Sequence, residues 1–188
     1  MQVRKVLRTR NQRCLNGTLL GRLAKSRYLT GKLIGKSARN ALRLAESISW
    51  RKTREGWLHG VVLGSLEAYV GNMQSEYNVS RGRIDFRHKT TNPVLIELVV
   101  PRHGNEQCPS MNTGELAKLC RVPYTKGKKR ILLILDVARR KPIPREKLKE
   151  AYARTNAGRG RFSRNVVTVM YFHRDEEYQF RWKPYKVY

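Results

Sequence analysis

The sequence predicts an α/β fold with a mixed central sheet, and three observations lead to this prediction. Apolar runs of strand length recur at 93–100, 131–137 and 166–172. Segments with helical spacing of apolar residues lie before and between these runs. Continuous apolar strands that alternate with helices are typical of a sheet that is covered on both faces.

The first predicted core element is an amphipathic helix from Glu55 to Val70, although three glycines lower its helical propensity. Three strand-like segments follow, at 76–80, 83–88 and 93–100. The third of these segments is the clearest, because its apolar run is the longest and is rich in β-branched residues.

The second half of the predicted core alternates helices and strands. Asn112 and Glu115 have the spacing of a helix cap, which predicts a helix that starts there. A strand at 131–137 follows, and Pro144 fits the first turn of a helix that runs to residue 152. The last apolar strand covers 166–172. The predicted order is helix, three strands, helix, strand, helix, strand.

The composition predicts a polyanionic partner. The chain has 188 residues with 40 Lys and Arg against 14 Asp and Glu, which gives a net charge of +26. A protein with this charge binds nucleic acid even without a shaped site. No stretch approaches the roughly 18 apolar residues that a membrane span requires, so we expect no membrane partner.

Cysteine usage predicts an intracellular protein. Cys14, Cys108 and Cys120 are odd in number and form no Cys-x-x-Cys pair. A disulfide framework is therefore not expected, and a reducing compartment fits. The amino terminus has no apolar stretch of secretory length behind it. We expect a cytoplasmic or nucleoid-associated protein.

The uneven distribution of charge predicts three regions. Residues 1–54 hold fifteen Lys or Arg and one acid, Glu46, so this region is a basic arm or a basic helical subdomain. Residues 55–172 form the α/β core. Residues 173–188 form an aromatic and basic tail, whose residues 178–185 are interpreted either as a base-stacking surface or as an edge strand that packs on the core.

Two carboxylates lie where a strand is expected to be buried. Glu97 interrupts the apolar run at 94–100, and Asp85 lies twelve residues earlier in the preceding strand-like segment. An ionised carboxylate inside an apolar strand is unfavourable unless a metal ion or a basic side chain compensates it. Both explanations are open for Glu97, and two acids on neighbouring strands suggest a cation site.

With these residues the chain resembles the PD-(D/E)XK nuclease superfamily. The resemblance rests on the D-x11-E-x-V spacing from Asp85 to Val99, on EGWLH from Glu55, and on ELAKL from Glu115 before RILLILD from Arg130. It covers about residues 55–172. It implies a restriction-endonuclease-like αβββαβ core with a mixed sheet, to which the basic N-terminal extension is added.

The resemblance also implies a site and a reaction. Asp85 and Glu97 are the implied carboxylate ligands of Mg²⁺ or Mn²⁺, with the backbone carbonyl of Leu98 as a third ligand. Glu55 matches an acid that many members place on the first helix near the metals, although an acid in a first helical turn is also favoured by the helix dipole. The implied reaction is phosphodiester hydrolysis, with DNA favoured over RNA.

The chain departs from the family at one position. The usual lysine two residues after the glutamate is replaced by Val99, which cannot neutralise developing charge. Lys118 on the following helix is the best substitute, ahead of Arg102 and Lys89. Lys118 is otherwise a solvated charge on a helix face. Alternatively, the chemistry is lost and only the binding fold remains.

Two functions of different classes follow from the sequence. The first is a metal-dependent endonuclease, and cutting both strands of a duplex would favour a homodimer or a partner. The second is a non-catalytic subunit of a larger nucleoprotein complex, with a degenerate nuclease fold or a ribosomal-type role. In both cases the residues expected to contact nucleic acid are Arg4, Arg8, Arg10, Arg13, Lys89, Arg102, Arg159, Arg161 and Arg164.

Overall fold

The computed structural model describes seven stretches of the chain, in which four helices and six strands build an α/β fold around one mixed sheet. None of the helices in these stretches combines the length and the apolar character that a membrane span requires. The described residues are 28–48, 55–79, 82–101, 113–123, 128–137, 141–153 and 165–183.

Every element predicted between residues 55 and 172 is present, with bounds that differ from the prediction by at most three residues. The helices are α1 (Gly31–Ile48), α2 (Glu55–Val70), α3 (Thr113–Arg121) and α4 (Arg145–Ala153). The strands are β1 (Met73–Val79), β2 (Gly82–His88), β3 (Val94–Val99), β4 (Lys129–Leu135), β5 (Val167–Phe172) and β6 (Glu177–Trp182).

The strands lie side by side in the order in which they occur in the chain. The first three strands form an antiparallel meander. Strands β4 and β5 run parallel to β3, and β6 returns antiparallel to β5. Parallel neighbours need a crossover connection. Helix α3 lies in the connection from β3 to β4, and α4 lies in the connection from β4 to β5. The predicted α/β fold with a mixed sheet is therefore confirmed.

The two faces of the sheet pack into two separate apolar clusters. Strand β3 contributes Ile96 and Leu98 to the cluster beneath α1 and α2. It contributes Leu95 and Val99 to the cluster beneath α3 and α4. Because side chains alternate along a strand, Glu97 belongs to the α3 and α4 face, between two buried apolar residues.

Residues 31–48 of the basic segment form α1, which packs on the sheet. Thr30 begins the helix, since its carbonyl accepts a hydrogen bond from Ile34 N at 3.1 Å and its hydroxyl accepts one from Leu33 N at 3.4 Å. A Cβ atom at Gly35 would lie 3.3 Å from Phe172 Cζ, so α1 approaches β5 closely. The interpretation as a helix on the core thus applies to residues 31–48, whereas residues 1–27 and 49–54 lie outside the described residues.

The sheet continues beyond residue 172, where the sequence had suggested a boundary. Strand β6 pairs with β5, and its Phe180 and Trp182 are buried in the cluster beneath α3 and α4. Trp182 Nε1 donates a hydrogen bond to Tyr152 O at 3.1 Å. Of the two interpretations of the aromatic segment, the edge strand describes residues 178–182, and residues 184–188 lie outside the described part.

We expect Ile34→Ala to destabilise the whole protein, because Ile34 is fully buried beneath α1. Truncation of a buried Ile to Ala costs about 2–5 kcal/mol of unfolding free energy. Lys32→Ala on the exposed face of the same helix should change that free energy by less than about 0.5 kcal/mol. Denaturant unfolding of both variants measures the difference. Equally small effects would contradict the packing of α1 on the core.

Candidate functional site

The antiparallel pairing of β2 with β3 stops just before the two carboxylates. Phe86 and Ile96 form the last backbone pair on this side. Asp85 and Glu97 would be the next pair if the ladder continued. Contacts from their side chains occupy that position instead. The two acids therefore lie where the strands separate.

Strand β2 is irregular at Asp85. Ile84 packs in the cluster beneath α3 and α4, whereas Phe86 packs in the cluster beneath α1 and α2. A regular strand places residues two apart on the same face. On β1, the register with β2 skips Glu76 opposite Asp85, and Glu76 has a φ of 48°. The irregularity turns the Asp85 side chain towards β3.

Each carboxylate accepts a hydrogen bond from the backbone of the other strand. Asp85 Oδ2 accepts a hydrogen bond from Leu98 N at 2.7 Å. Glu97 Oε2 lies 3.4 Å from Asp85 N and accepts a longer hydrogen bond from it. The Glu97 side chain is 1% exposed and the Asp85 side chain is 29% exposed. Asp85 is thus the member of the pair that solvent and small ions reach.

Lys118 completes the cluster from the other layer of the fold. Its Nζ contacts Glu97 Oε1 and Glu115 Oε2, and it donates a hydrogen bond to Arg83 O at 3.3 Å. A Cβ atom at Gly82, whose φ is 129°, would lie 3.4 Å from Lys118 Cδ. The Lys118 stem therefore crosses the start of β2. The residue chosen from the sequence as a substitute for the missing lysine lies at Glu97.

Helix α3 is docked so that its charged side meets the carboxylates. The two charged residues at positions 115 and 118 are three residues apart, so they share one side of the helix. Leu116 and Leu119 are fully buried and hold the adjacent side of the helix on the sheet. Beyond the end of the helix, Asn165 Nδ2 donates a hydrogen bond to Val122 O at 3.1 Å. These contacts fix the position from which Lys118 reaches Glu97.

The carboxyl groups of the site differ in their pKa. Burial, with the hydrogen bond to Glu115 and the charge of Asp85, raises the pKa of Glu97 to about 9. Burial also raises the pKa of Asp85. Burial opposes ionisation of Glu115, but its hydrogen bonds with Glu97 and Lys118 together hold its pKa below the ordinary value. At neutral pH without a metal, Glu97 keeps a proton and Glu115 is ionised.

The ammonium group of Lys118 stays charged in this cluster. Burial by itself would lower the pKa of Lys118, but its hydrogen bonds with Glu115 and Glu97, together with the negative charge that this pair of acids carries, outweigh burial and raise that pKa. Lys118 is 24% exposed, so its charge is partly open to solvent. The site therefore combines a permanent cation with carboxyl groups whose proton occupancy a bound ion would change.

The sequence did not identify two residues that lie at this site. Glu115 entered the sequence analysis as a helix-capping residue and as part of the ELAKL motif and was not named as a site residue, yet it contacts Lys118. His59 Nε2 lies 3.9 Å from Asp85 Oδ1, and its ring packs on Phe86 with the ring centroids 4.3 Å apart. The spacing from Glu55 to His59 is one helical turn, which was the available signal. Glu55 itself is exposed in the first turn of α2.

The donor set at the strand separation fits a hard divalent cation. No group of three or more His, Cys, Asp and Glu side chains within the described stretches is arranged as a metal cluster. Asp85 and Glu97 supply carboxylate oxygens, and Mg²⁺ commonly binds one or two carboxylates together with waters. In a strand, the N–H and C=O of one residue point to the same side. The Leu98 carbonyl therefore points to the side on which Leu98 N meets Asp85.

Of the other residues singled out from the sequence, the structure describes Val99 and Lys89. Val99 is buried among apolar side chains on the same face as Glu97. Lys89 is exposed after β2, with its backbone N–H bonded to Asn72 O at 2.9 Å. The remaining candidates for nucleic-acid contact lie outside the described residues: Arg4, Arg8, Arg10, Arg13, Arg102, Arg159, Arg161 and Arg164.

Without divalent cations, we expect the unfolding free energy of the protein to fall as the pH rises between about 5 and about 9. The pKa of Glu97 is about 9 in the folded state, above its ordinary value of 4.5. The folded state therefore keeps a proton that the unfolded state releases, and this stabilisation is lost as the pH rises through the folded pKa. The slope has an upper limit of about 1.4 kcal/mol per pH unit.

Denaturant unfolding in EDTA at several pH values measures this slope. Glu97→Gln should flatten it, because the titrating group is gone. Glu146→Gln is the matched control, because Glu146 is exposed on α4. The pKa of Glu146 is lowered from its ordinary value of 4.5, so its own contribution to the pH dependence of stability lies below about pH 4.5. The control should keep the wild-type slope. Equal slopes for the wild type and Glu97→Gln would contradict the raised pKa.

Comparison with protein-family models, with curated proteins and with solved structures finds no match for this chain. The resemblance to PD-(D/E)XK nucleases therefore stays a prediction from the sequence.

Proposed function

We propose that this protein is a metal-dependent nuclease that hydrolyses phosphodiester bonds in DNA. The observation that carries the proposal is the contact of Lys118 Nζ with Glu97 Oε1, next to Asp85. Hydrolysis of a phosphodiester requires ligands for a divalent cation together with a positive group near the reacting phosphate. Helix α3 supplies the cation that β3 lacks at Val99.

In this proposal, Asp85 and Glu97 hold Mg²⁺ or Mn²⁺ with the carbonyl of Leu98. The chemistry that a bound cation supplies at such a site is polarisation of the phosphate and a lowered pKa of water. Glu97 must release its proton before it can act as an anionic ligand, so metal affinity should rise with pH. Asp85 is the more exposed carboxylate and the first that an entering ion meets.

Lys118 acts through its charge. Its raised pKa keeps the ammonium group protonated at neutral pH. A fixed positive group stabilises the negative charge that develops on a phosphate during in-line attack, and its effect is large where water is scarce. Glu115 restrains this ammonium group from the same helix. The pair thus presents a preorganised cation next to the metal ligands.

The order of elements supports a restriction-endonuclease-like core. Helix α2, strands β1 to β3, helix α3 and strand β4 follow the order that the resemblance implies, with Asp85 on β2 and Glu97 on β3. The net charge of +26 favours a polyanionic substrate. The choice of DNA comes from the resemblance. Since one such site cuts one strand, cleavage of a duplex calls for a second copy or a partner.

One observation favours a non-catalytic nucleic-acid-binding subunit as the second candidate. Lys118 contacts two carboxylates, as it would in an ion network that serves only to compensate a buried acid. On β3, Val99 replaces the lysine that the nuclease family uses, which also fits a loss of catalysis. In this alternative the carboxylates stabilise the fold and the charge of the chain binds nucleic acid. Neutral substitutions of the carboxylates distinguish the two candidates, because only a nuclease has a cleavage activity to lose.

We expect Asp85→Asn and Glu97→Gln each to abolish Mg²⁺-dependent cleavage of plasmid and linear DNA, because each removes an anionic ligand. Binding of the same DNA in EDTA should be unchanged for Glu97→Gln, because that carboxyl group is already protonated without a metal. It should be unchanged or slightly tighter for Asp85→Asn, which can remove a negative charge near the phosphates. Glu150→Gln, an exposed acid on α4, is the control with the same change in charge and should cleave like the wild type. Full activity in either site variant would refute the assignment.

We expect Lys118→Ala to lower the cleavage rate by about 10²-fold or more with little change in DNA affinity, because a positioned electrostatic stabiliser is lost. Lys147→Ala, on the exposed side of α4, is the matched control. A wild-type cleavage rate for Lys118→Ala would exclude Lys118 as a catalytic residue.

The double variant Lys118→Ala with Val99→Lys tests the transfer of the cation directly. Positions 97 and 99 share one face of β3, so a lysine at 99 points to the layer from which Lys118 now reaches Glu97. Partial recovery of cleavage, relative to Lys118→Ala alone, would show that the site needs a cation there from either element. Thermal unfolding of the double variant checks that the buried lysine is tolerated, because Val99 lies in the apolar core.

A further inference from the structure

Four cations form a single row on the solvent side of α1. Lys32, Lys36, Arg39 and Arg43 are spaced by four, three and four residues, and all four are exposed. With 3.6 residues per turn, this spacing keeps the four within an arc of about 60° around the helix axis. The row is about 16 Å long, from the rise of 1.5 Å per residue.

The opposite side of α1 is already used by the fold. Ile34, Ala38 and Ala41 are fully buried in the cluster beneath α1 and α2. An amphipathic helix that binds a membrane surface needs a free apolar face to insert. The apolar face of α1 is covered by the sheet, so the row is not the polar side of a membrane-binding helix.

The row works against the stability of the helix that carries it. Lys32 lies in the first turn, where the helix dipole favours an acid, and that turn contains no acid. Lys36 follows Lys32 by four residues and Arg43 follows Arg39 by four, and like charges at this spacing repel each other. The only acid in α1 is Glu46, in the last turn.

Two members of the row have contacts that keep them at the surface. Arg39 Nη1 lies 2.5 Å from Glu177 Oε2, and both side chains are about half exposed. Lys36 Nζ lies 4.9 Å from the centre of the Tyr69 ring. Exposed pairs of this kind are weak, because solvent screens them. They orient the row and leave its charge available to a partner.

We propose that this row binds the phosphate backbone of duplex DNA. A duplex carries about one negative charge per 1.7 Å of its axis, so a row of this length faces several phosphates at once. Proteins that grip single strands place aromatic rings between the cations to stack on bases. Helix α1 has no aromatic residue. A rigid row of cations on a helix that carries no stacking residue of its own matches a backbone whose bases are paired.

The row is separate from the candidate metal site. Gly35 and Arg39 place α1 over β5 and the start of β6, whereas the carboxylates lie on β2 and β3. The row would bind the same substrate as the proposed nuclease, but this binding does not require cleavage. A non-catalytic protein would use the same row. Binding measured in EDTA therefore tests the row independently of the proposed reaction.

The experiment compares two variants of the full chain with equal loss of charge. The row variant carries Lys32→Gln, Lys36→Gln, Arg39→Gln and Arg43→Gln. The control variant carries four changes at exposed positions elsewhere: Lys129→Gln, Lys141→Gln, Lys147→Gln and Arg181→Gln. Fluorescence anisotropy with a labelled duplex in EDTA, over a series of salt concentrations, gives the slope of log affinity against log salt. Each lost phosphate contact lowers the steepness of this slope by about 0.9.

We expect the row variant to lose about 3 to 4 in slope and the control variant to lose less than about 1. A row variant that omits Arg39→Gln, so that the contact with Glu177 is kept, should lose about 2 to 3. Thermal unfolding close to that of the wild type shows that the exposed changes leave the fold intact.

Three outcomes would overturn the inference. An unchanged slope in the folded row variant would place the DNA elsewhere or assign the row to another kind of partner. Equal losses in the row and control variants would mean that only net charge matters. Tighter, row-dependent binding of single-stranded DNA or duplex RNA would exclude duplex DNA as the preferred ligand. If the wild type does not cleave DNA but the row-dependent loss persists, the proposed nuclease fails and the row inference stands.

Discussion

A carboxylate buried in the centre of an apolar strand is the constraint on which the rest of this structure depends. Glu97 is 1% exposed, and such a group is unfavourable unless it is protonated, paired or bound to a cation. The fold supplies two of these solutions at once, because burial raises the pKa of Glu97 and Lys118 reaches it from α3. The third, a bound cation, is the one that the proposed function requires.

The positions of α3 and of the β2–β3 separation follow from packing rather than from the charges. Leu116 and Leu119 fix one side of α3 on the sheet, so that its charged side meets Glu97. Carbonyl groups beyond the end of this helix accept hydrogen bonds from Arg130 and Asn165, both of them buried. A lysine held in this way has little freedom to lose when it meets a phosphate, which is what electrostatic catalysis requires. The same rigidity would serve a purely structural ion network.

The charge of the chain is arranged on two scales. At the site, one ammonium group lies among three carboxyl groups, and their proximity shifts each pKa. On α1, four cations share one face with a single acid in the last turn. The first arrangement suits a chemical step or a buried ion pair, and the second suits binding of a long polyanion. Keeping these two apart allows binding and cleavage to be measured separately.

The sequence by itself determined the fold class, the order of the elements between 55 and 172, and the pair Asp85 and Glu97, because hydrophobic periodicity and an acid inside an apolar run are local signals. The sequence left three basic residues as candidates for the role of the lysine that Val99 replaces. Only the docking of α3 brings one of them, Lys118, to Glu97. Glu115 and His59 were missed since their contacts with Glu97 and Asp85 join elements that are distant in the sequence. Packing of α1 and pairing of β6 were likewise open in the sequence, because burial of a weakly patterned segment depends on the surface that it meets.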